Sequence, residues 1–473
     1  MSGLTDLPED VFFELAKQLD VDDLINLLSS CQVMWRLRSQ RIIWVDALVR
    51  LREIHNQPVP LSNREALNIA SLRELQDSAG HSNRLMRNLS SDSPHPVHRR
   101  VLLFESEGQW TSFFYLPGTG LAVSHRAGSL SCWNIITSER VALLEISDLR
   151  VKIEAPCMNI VGKALIGACI GEDVRNLVAI TIDYGDPAHI SVSHVISSPM
   201  NNTSAFRSPF FINSHVLGFC TYASIVFWCM DANIEVQDRL QEFPSPAGFG
   251  MHYLPFGPML YGFHKGSIVA EAAIQRIPFL PASDVPLDTE DNDLLLPVSM
   301  LPLPYPFATN QSELRRLGRI RHMHFGASSV FAPDYGVFAV TCRTFKWEGR
   351  RRSVIHFWPG RPGARGRLDV GQAHFYEHPD IIRRIAVGAS GTYVLILVLK
   401  ADYGNDEPYL GEGDGYVGLL HFTPTPTPRT TFRKLDTGGA LPLDCDQILL
   451  DDSLGLVSFS FVYSPRVTTL FYV

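Results

Sequence analysis

One pattern recurs along most of this chain: a turn built from glycine, proline or aspartate, followed at once by a run of apolar residues. Such turns lie at 116–120, 254–257, 332–336 and 450–455, and the runs that follow cover 121–123, 259–261, 337–340 and 456–459. A second set of runs ends in an aromatic residue, at 129–133, 224–228, 354–358 and 419–422. Short apolar runs between turns, with hardly any helical period, predict an all-β region that begins near residue 100.

The repeated unit of turn, strand, hairpin and strand is typical of a β-propeller, in which each four-stranded blade hides its faces only against its neighbours. Residues 100–473, without a proline-rich insert at about 280–317, have room for about seven blades. The region resembles a WD-type propeller, because Trp133, Trp228 and Trp358 end apolar runs. The repeats are degenerate, because none of these tryptophans precedes the aspartate of the Trp-Asp pair. The resemblance implies a mainly β chain with a single propeller of about seven blades. An eight-bladed form and a pair of β-sandwiches are the alternatives.

Closure of such a ring gives a further prediction. The C-terminal runs 456–459 and 468–473 should lie beside 101–104, because strands from both ends of a propeller close its ring and remove exposed sheet edges. Within the insert, the proline and acidic residues of 281–310 favour an extended loop over packed structure.

The first fifty residues have a helical period instead. Pro8 is predicted at the first position of a helix, where the N–H that proline lacks would have no partner within the helix. Asp20 is predicted to cap a second helix and Ser39 a third. The apolar residues at helical spacing in the three helices are Val11, Phe12, Leu15 and Leu19; Leu24, Leu27, Leu28 and Cys31; and Trp44, Val45, Leu48 and Val49. About 45 residues in three short helices bury little surface, so a partner is expected.

This N-terminal pattern resembles an F-box. The matching features are Leu7-Pro8 before two acids, the Asp22-Asp23-Leu24 turn, the Leu27-Leu28 pair, Cys31 and the closing Trp44, whereas Trp35 lies one position later than the family's usual tryptophan. The resemblance covers about residues 1–50 and implies binding to a Skp-type adaptor and, through it, to the cullin and RING subunits of a ubiquitin ligase. The residues implied to carry the adaptor contact, or the small core behind it, are Leu7, Pro8, Val11, Leu15, Leu24, Leu27 and Leu28.

A helical connector and linker is predicted between the two regions, over 51–99. One helix is expected at 64–75 and a second at 81–89, and the Ser, Asp, Pro and His residues of 90–96 indicate a domain boundary. The predicted domains are therefore an F-box at 1–50, the connector at 51–99 and the propeller at 100–473.

Charge and composition narrow the class of protein. A net charge of −8 with 45% hydrophobic and 19% charged residues predicts a globular chain that does not bind nucleic acid. The acidic residues at positions 6, 9 and 10 are unlike a signal peptide, and the apolar run 393–399 is too short to span a bilayer. We therefore expect an intracellular protein, in the cytoplasm, the nucleus or both, that does not bind a membrane. The eight cysteines form no C-x-x-C pair, which favours buried thiols over a zinc or redox site.

Motifs that would indicate catalysis are missing from the sequence. It has neither a phosphate-binding G-x-x-x-x-G-K-[ST] loop nor a G-x-S-x-G motif, and 388–391 is predicted to be a turn between strands. His322 and His324 could bind a metal from one side of a strand, but no third ligand is evident. The acidic stretch 402–414 lacks the spacing of a calcium loop. The prediction is a non-catalytic subunit with no cofactor and no metal.

The favoured hypothesis is a substrate-recognition subunit of an SCF-type E3 ubiquitin ligase, in which the propeller binds a protein substrate. Two other functions stay open. One is a propeller enzyme or ligand binder with a vestigial F-box, and the other is a non-degradative scaffold that binds the adaptor without supporting ubiquitin transfer.

Three consecutive arginines are the candidate substrate contacts. Arg350, Arg351 and Arg352 are predicted in a hairpin between strands, where their guanidinium groups could bind an acidic or phosphorylated segment. Solvated hairpin charge, neutralised in part by 402–414, is the alternative interpretation. The second basic group, at 361–367, is expected on the opposite face of the propeller.

Overall fold

The computed structural model describes residues 8–55, 57–60, 64–103, 110–126, 128–146, 149–150, 157–160, 162–170, 176–186, 189–197, 208–212, 216–220, 225–230, 234–238, 251–256, 259–264, 267–273, 295–296, 322–327, 337–347, 350–359, 374–399, 415–423, 427–439, 445, 447–460 and 466–473. These ranges contain six helices followed by 29 strands. The helices are α1 (Glu9–Ala16), α2 (Val21–Ser29), α3 (Gln32–Leu37), α4 (Arg41–Glu53), α5 (Arg64–Ile69) and α6 (Leu72–Ser90).

The first two helices follow the sequence prediction with a shift of one residue at Pro8. Pro8 precedes α1 and is not its first residue, because its ψ of 147° is extended while its carbonyl accepts a hydrogen bond from the Phe12 N–H (3.0 Å). The predicted position of Pro8 is therefore wrong by one residue. Asp20 caps α2 as predicted, since its carboxylate accepts a hydrogen bond from the Asp23 N–H (3.0 Å).

A helix that the sequence did not predict, α3, lies between α2 and α4. The prediction that Ser39 caps the following helix is wrong: its hydroxyl donates to the Arg36 carbonyl (2.7 Å) at the end of α3, and Gln40 precedes α4. Only Met34 is buried among the six residues of α3. A helix this short with one buried side chain has no apolar period to detect.

The connector contains α5 and α6, whose bounds correct the predicted helices at 64–75 and 81–89. A capping box at Ser71 separates them: the Ser71 hydroxyl accepts the Glu74 N–H (3.2 Å), and the Glu74 carboxylate accepts the Ser71 N–H (2.6 Å). Arg41 donates to the Asn68 carbonyl (2.8 Å) near the end of α5. From Ser71 the chain then forms one helix of 19 residues, where the sequence had suggested two.

The described strands form seven antiparallel sheets, which we number in chain order. Sheet 1 has β2 (Trp110–Leu116), β3 (Leu121–Arg126), β4 (Ser129–Asn134) and β5 (Glu139–Glu145); sheet 2 has β6 (Leu149–Arg150), β7 (Cys157–Ile160), β8 (Lys163–Ile170), β9 (Asn176–Asp183) and β10 (Ser191–Ser197); sheet 3 has β11 (Ser208–Ile212), β12 (Val216–Cys220), β13 (Ile225–Cys229) and β14 (Ile234–Asp238). Sheet 4 has β15 (Met251–Phe256), β16 (Met259–His264), β17 (Ser267–Ala273) and β18 (Leu295–Leu296); sheet 5 has β19 (His322–Ala327), β20 (Val337–Trp347), β21 (Arg350–Pro359) and β22 (His374–His378). Sheet 6 has β23 (Ile381–Val387), β24 (Tyr393–Leu399), β25 (Gly415–Thr423) and β26 (Arg429–Lys434); sheet 7 has β27 (Gln447–Asp451), β28 (Leu456–Ser460), β29 (Arg466–Phe471) and β1 (His98–Leu103).

The recurring runs of the sequence occupy fixed places in these sheets. The runs after the turns are the second strands β3, β16, β20 and β28, and the runs that end in an aromatic residue fall in the third strands β4, β13, β21 and β25. The strand predictions are thus confirmed for the described residues. Leu295 and Leu296, inside the predicted insert, pair with β17, so the extended-loop prediction does not hold at these two residues.

The strand β24 shows how neighbouring sheets pack. Tyr393, Leu395 and Leu397 belong to a buried cluster shared with sheet 7. The alternate residues Val394 and Ile396 belong to a cluster shared with sheet 5. Because successive side chains point to opposite faces, a strand buried on both faces is a continuous apolar run. The apolar run 393–399 is therefore the centre of a stack of sheets.

Similar contacts link most sheets that follow one another in the chain. Buried clusters join sheet 1 to sheet 2, sheet 5 to sheet 6, sheet 6 to sheet 7, and sheet 7 back to sheet 1. The strand β11 of sheet 3 contacts β8 of sheet 2 and β15 of sheet 4. Antiparallel sheets of four strands, or five in sheet 2, stacked face to face in this way make a WD-type, propeller-like fold.

The two ends of the β region meet in sheet 7. β1 pairs with β29 as predicted, with Val101 opposite Thr468 and Leu103 opposite Arg466. The other predicted neighbour, 456–459, lies in β28 and is separated from β1 by β29. Leu102 of β1 is buried with side chains of sheet 1. None of the described helices combines the length and the apolar character needed to cross a membrane.

Candidate functional site

The helical unit, which we define as α1 to α4, divides the predicted adaptor residues between a core and a surface. Leu24 and Leu28 are fully buried and belong to the core of the unit. Val11, by contrast, is 44% exposed. Among the others, Pro8 is exposed, Leu15 and Leu27 are half-buried, and Leu7 lies outside the described residues. Among the predicted adaptor residues, Leu24 and Leu28 therefore form the core, and Val11 remains available for contact with a partner.

Two exposed apolar side chains of α3 were not among the predicted adaptor residues. Val33 is 49% exposed and Trp35 is 54% exposed. The Arg38 guanidinium lies over the Trp35 ring, 4.7 Å from its centroid, which helps to fix the ring on the surface. Exposed aromatic side chains are enriched at protein–protein contacts. The displaced tryptophan of the sequence was the available signal for this part of the surface.

Helix α6 belongs to two cores at once. Leu75 and Ala79 in its first half are buried in the core of the helical unit. Leu85 and Leu89 in its second half are buried in the core that sheets 6 and 7 share. A packed helix, and not a bare linker, therefore joins the helical unit to the β region.

Polar contacts fix both halves of α6. In the first contact, Asp22 of α2 accepts a hydrogen bond from the Asn83 amide (2.8 Å) and forms an ion pair with Arg87 (2.6 Å). In the second, the Asn88 amide donates to the carbonyl of Tyr472 (2.6 Å), next to β29. The ion pair is largely exposed and adds little stability by itself, so these contacts mainly set the direction of the helix.

Turns of sheets 1, 6 and 7 lie against α6 and residues 57–60 or against one another. A Cβ at Gly455, in the β27–β28 turn, would lie 2.5 Å from Leu85 Cδ1. Gly118, in the β2–β3 turn, has a φ of +75°, and a Cβ there would lie 2.6 Å from the Pro60 carbonyl oxygen. Both positions therefore require glycine. Just after the β23–β24 turn, the Tyr393 hydroxyl donates to the buried side-chain oxygen of Gln57 (3.0 Å).

These contacts distinguish two ends of the β region. In an antiparallel sheet, the turns between first and second strands lie at one end, and the hairpins between second and third strands lie at the other. The helical end carries the turns 116–120, 388–392 and 451–455, which touch α6, residues 57–60 or one another. The far end carries the hairpins between β3 and β4 and between β20 and β21.

Two adjacent carboxylates are buried at the helical end. Asp451 accepts hydrogen bonds from the Gly118 N–H (2.9 Å), the Ser453 hydroxyl (2.7 Å) and the Leu454 N–H (3.1 Å). Asp452 accepts a hydrogen bond from the Ser390 hydroxyl. Burial, helped by the charge of Asp451, raises the pKa of Asp452 to about 7. The two acids thus tie the turns of sheets 1 and 6 to the β27–β28 turn.

The predicted substrate arginines are the first three residues of β21, at the far end. Their predicted place in the hairpin connection is wrong, because β20 and β21 stay paired out to Trp347 and Arg350. Across the hairpin, Arg350, Arg351 and Arg352 pair with Trp347, Lys346 and Phe345. The Arg352 guanidinium forms an ion pair with Glu377 of β22 (2.5 Å), so its charge is balanced within sheet 5. The side chains of Arg350 and Arg351, and the stretches 361–367 and 402–414, lie outside the described part of the chain.

A partly buried polar chain links sheets 5 and 6. His378 accepts a hydrogen bond from the Asp380 N–H at Nδ1 (3.1 Å), so its Nε2 carries the proton that faces the Tyr416 hydroxyl (3.2 Å). Tyr416 in turn donates to the Asp380 carboxylate (3.1 Å). Burial lowers the pKa of His378 and therefore favours the neutral ring. Every member of this chain has a partner, which is typical of a structural network.

The structure describes only part of the catalytic and metal-binding motifs considered in the sequence. Ser390 lies in the predicted 388–391 turn, which the Gly391 N–H closes by donating to the Gly388 carbonyl (2.9 Å), and this turn prediction is confirmed. In the described part of the chain, no three His, Cys, Asp or Glu side chains are placed to hold a metal ion. His322 and His324 lie on β19, with side chains outside that part.

Comparisons with known proteins identify no family. No family model matches this chain, and no curated protein matches it. Among solved structures, the WD40 domain of SCAP from fission yeast is similar, with 10% identity, 77% of this chain and 84% of that chain covered, and a TM-score of 0.40. The Cps50 (Swd1) β-propeller domain of Myceliophteria thermophila has 10% identity, coverage of 79% and 99%, and a TM-score of 0.42.

Raptor from Chaetomium thermophilum is a further similar structure. It has 9% identity and a TM-score of 0.47, and the similarity covers 98% of this chain and 40% of that chain. At TM-scores below 0.5 these similarities carry no argument. The propeller-like fold therefore rests on the sheet order and the packing described above.

Proposed function

We propose that this chain is the substrate-recognition subunit of an SCF-type E3 ubiquitin ligase. In this proposal the helical unit is an F-box that binds a Skp-type adaptor and, through it, the cullin and RING subunits. The seven sheets are the blades of one closed β-propeller, whose far end binds a protein substrate. The chain performs no catalysis itself and works in the cytoplasm, the nucleus or both.

The exposed apolar surface of the helical unit is the observation that carries the proposal. Val11, Val33 and Trp35 are each about half exposed, although the unit already has a closed core around Leu24 and Leu28. Covering apolar surface contributes about 25 cal/mol per Å² removed from water. A partner that covers these side chains would therefore gain affinity without disturbing the core.

The second support comes from α6. Ubiquitin transfer to a bound substrate requires the substrate and the adaptor to be held at a defined separation. The α6 helix is buried in the core of the helical unit at Leu75 and in the core of sheets 6 and 7 at Leu85. The helix supplies such a fixed spacing, and its docking at the helical end leaves the far end for substrate.

Substrate contact at the far end is assigned to the arginines of β21. Because Arg352 is already paired with Glu377, Arg350 and Arg351 are the stronger candidates. Guanidinium groups bind carboxylates and phosphates in a bidentate way, so an acidic or phosphorylated substrate segment fits this position.

The adaptor contact can be tested by calorimetric titration of the full chain with a purified Skp-type adaptor. Val11→Glu places a charge in the proposed interface and should weaken binding about 100-fold, and Trp35→Ala should weaken it about 10-fold. The matched control is Ile136→Glu, at a β-region residue that is 51% exposed. It should bind like the unmodified chain.

Thermal melting of each variant separates lost binding from lost folding. Equal adaptor affinity of all three variants and the unmodified chain would overturn the assigned surface. If the adaptor binds but the assembled complex transfers no ubiquitin to any bound protein, the chain is a non-degradative scaffold.

A further inference from the structure

The outermost strand of sheet 7 has an edge that no described strand covers. β1 pairs with β29 alone, in a register that runs from His98–Phe471 to Leu103–Arg466. Leu102 is its one buried residue. An open strand edge presents backbone N–H and C=O groups that another strand can pair with.

Apolar side chains are exposed on this strand and next to it. Val97, Val101 and Leu103 are 53%, 42% and 61% exposed. Val101 and Leu103 are two residues apart in a strand and so share one face, while Leu102 points the other way into the core between sheets 7 and 1. An added strand would cover these apolar groups.

The same strand is basic. His98, Arg99 and Arg100 are all exposed, and the described residues place no carboxylate in ion-pair contact with Arg99 or Arg100. The Arg100 guanidinium lies 5.9 Å from the centroid of the Phe471 ring. On a chain of net charge −8, this local positive charge selects an acidic partner.

The outermost strand of sheet 1 provides an internal comparison. β5 exposes Leu143 to 42%, but two glutamates, Glu139 and Glu145, outnumber its one arginine, Arg140. An outermost strand can therefore expose an apolar residue while its net charge is negative. Exposed apolar residues together with a net positive charge distinguish β1 from β5.

We propose that the open edge of β1 binds an extended acidic segment of a partner protein as an added β-strand. Backbone hydrogen bonds supply part of the affinity, and apolar residues of the segment cover Val101 and Leu103. Its carboxylates pair with Arg100 on the other face, and Arg99 adds to the local positive charge. The site belongs to neither the helical unit nor the far end. Its success or failure is therefore independent of the proposed ligase function.

The test uses the full chain and a dye-labelled octapeptide of alternating glutamate and valine, followed by fluorescence anisotropy. Saturable binding is expected. Arg99→Glu combined with Arg100→Glu should weaken it at least 10-fold, and Leu103→Ser about 5-fold. The matched control Leu143→Ser on β5 should leave it unchanged.

A second probe tests the backbone pairing on the unmodified protein, so that the result does not depend on how the variants fold. Two methylated peptides are compared, one with methyl groups on the odd-numbered peptide nitrogens and one with them on the even-numbered nitrogens. Each removes the N–H groups on one edge of the peptide, so only the form that blocks the edge facing β1 should lose binding. Absence of binding by the unmethylated peptide would overturn the proposal, and the arginines would then serve only to keep the edge from aggregating. Equal binding by both methylated forms, or equal effects of Leu103→Ser and Leu143→Ser, would also overturn it.

Discussion

At the scale of single residues, Asp452 is a buried carboxyl group whose raised pKa affects the stability of the fold. It is buried against the turn of sheet 6, where a Cβ at Gly388 would lie only 2.2 Å from its Cγ. Burial raises the pKa of Asp452 to about 7 from a value of 3.8 for an unhindered aspartate. The folded chain therefore holds this proton across a range in which the unfolded chain has lost it.

The raised pKa of Asp452 makes the free energy of unfolding depend on pH. Between about pH 4 and pH 7 the folded state binds more protons than the unfolded state, so the free energy of unfolding falls as the pH rises through this window. Asp452→Asn removes the charge and keeps an amide that can bond Ser390. We expect it to stabilise the protein at pH 8 by about 2–4 kcal/mol and to have little effect at pH 4.

Urea unfolding of both proteins across pH 4–8 measures this difference. A constant difference in unfolding free energy across the range would show that Asp452 is ionised in the folded chain, contrary to its burial.

Residue roles were only partly readable from the sequence. The helical period placed Val11, Leu24 and Leu28 on apolar stripes, but a stripe does not say which members close the core and which remain on the surface. That division depends on how α6 packs against α2, through contacts such as Asn83 with Asp22, which are 61 residues apart in the chain. Pairings at such distance leave no local signal.

At the scale of elements, strands were predicted better than helices for a physical reason. Each strand of a stacked sheet is buried on one or both faces, so runs such as 393–399 are visible as apolar segments between turns. The helix α3 buries only Met34 and has no such signal. The break between α5 and α6 has a sequence signal, because Ser71 and Glu74 form a capping box. The apolar spacing of 64–75 gives no sign of this break and predicts a continuous helix.

Deleting residues 469–473 tests the role of β29 between β28 and β1. The deletion removes Leu470 and Tyr472, which are both fully buried, and each such loss is worth about 2–5 kcal/mol. A domain is typically stable by about 5–15 kcal/mol, so we expect the truncated chain to unfold or aggregate.

Deleting Val473 alone is the control and should leave the thermal melting temperature nearly unchanged. Solubility and differential scanning calorimetry compare the two deletions. If the longer deletion yields a soluble protein that melts at the original temperature, the β1–β29 pairing does not hold the ends of the β region together.

At the scale of the whole molecule, one helix holds the helical unit and the β region together. α6 is packed in both cores, and Asp451 and Asp452 draw the turns of sheets 1, 6 and 7 together beneath it. The helical unit is thereby oriented relative to the far end. Such an arrangement suits a protein that holds one partner at each end, which is the role proposed for this chain.

The helical unit is proposed to be an F-box that binds the adaptor. Size-exclusion chromatography with light scattering, on the purified full chain mixed with a purified Skp-type adaptor at micromolar concentrations, tests it most directly. A single complex with one copy of each protein is expected, to which the cullin then binds. Separate elution of the two proteins at their individual masses would contradict it.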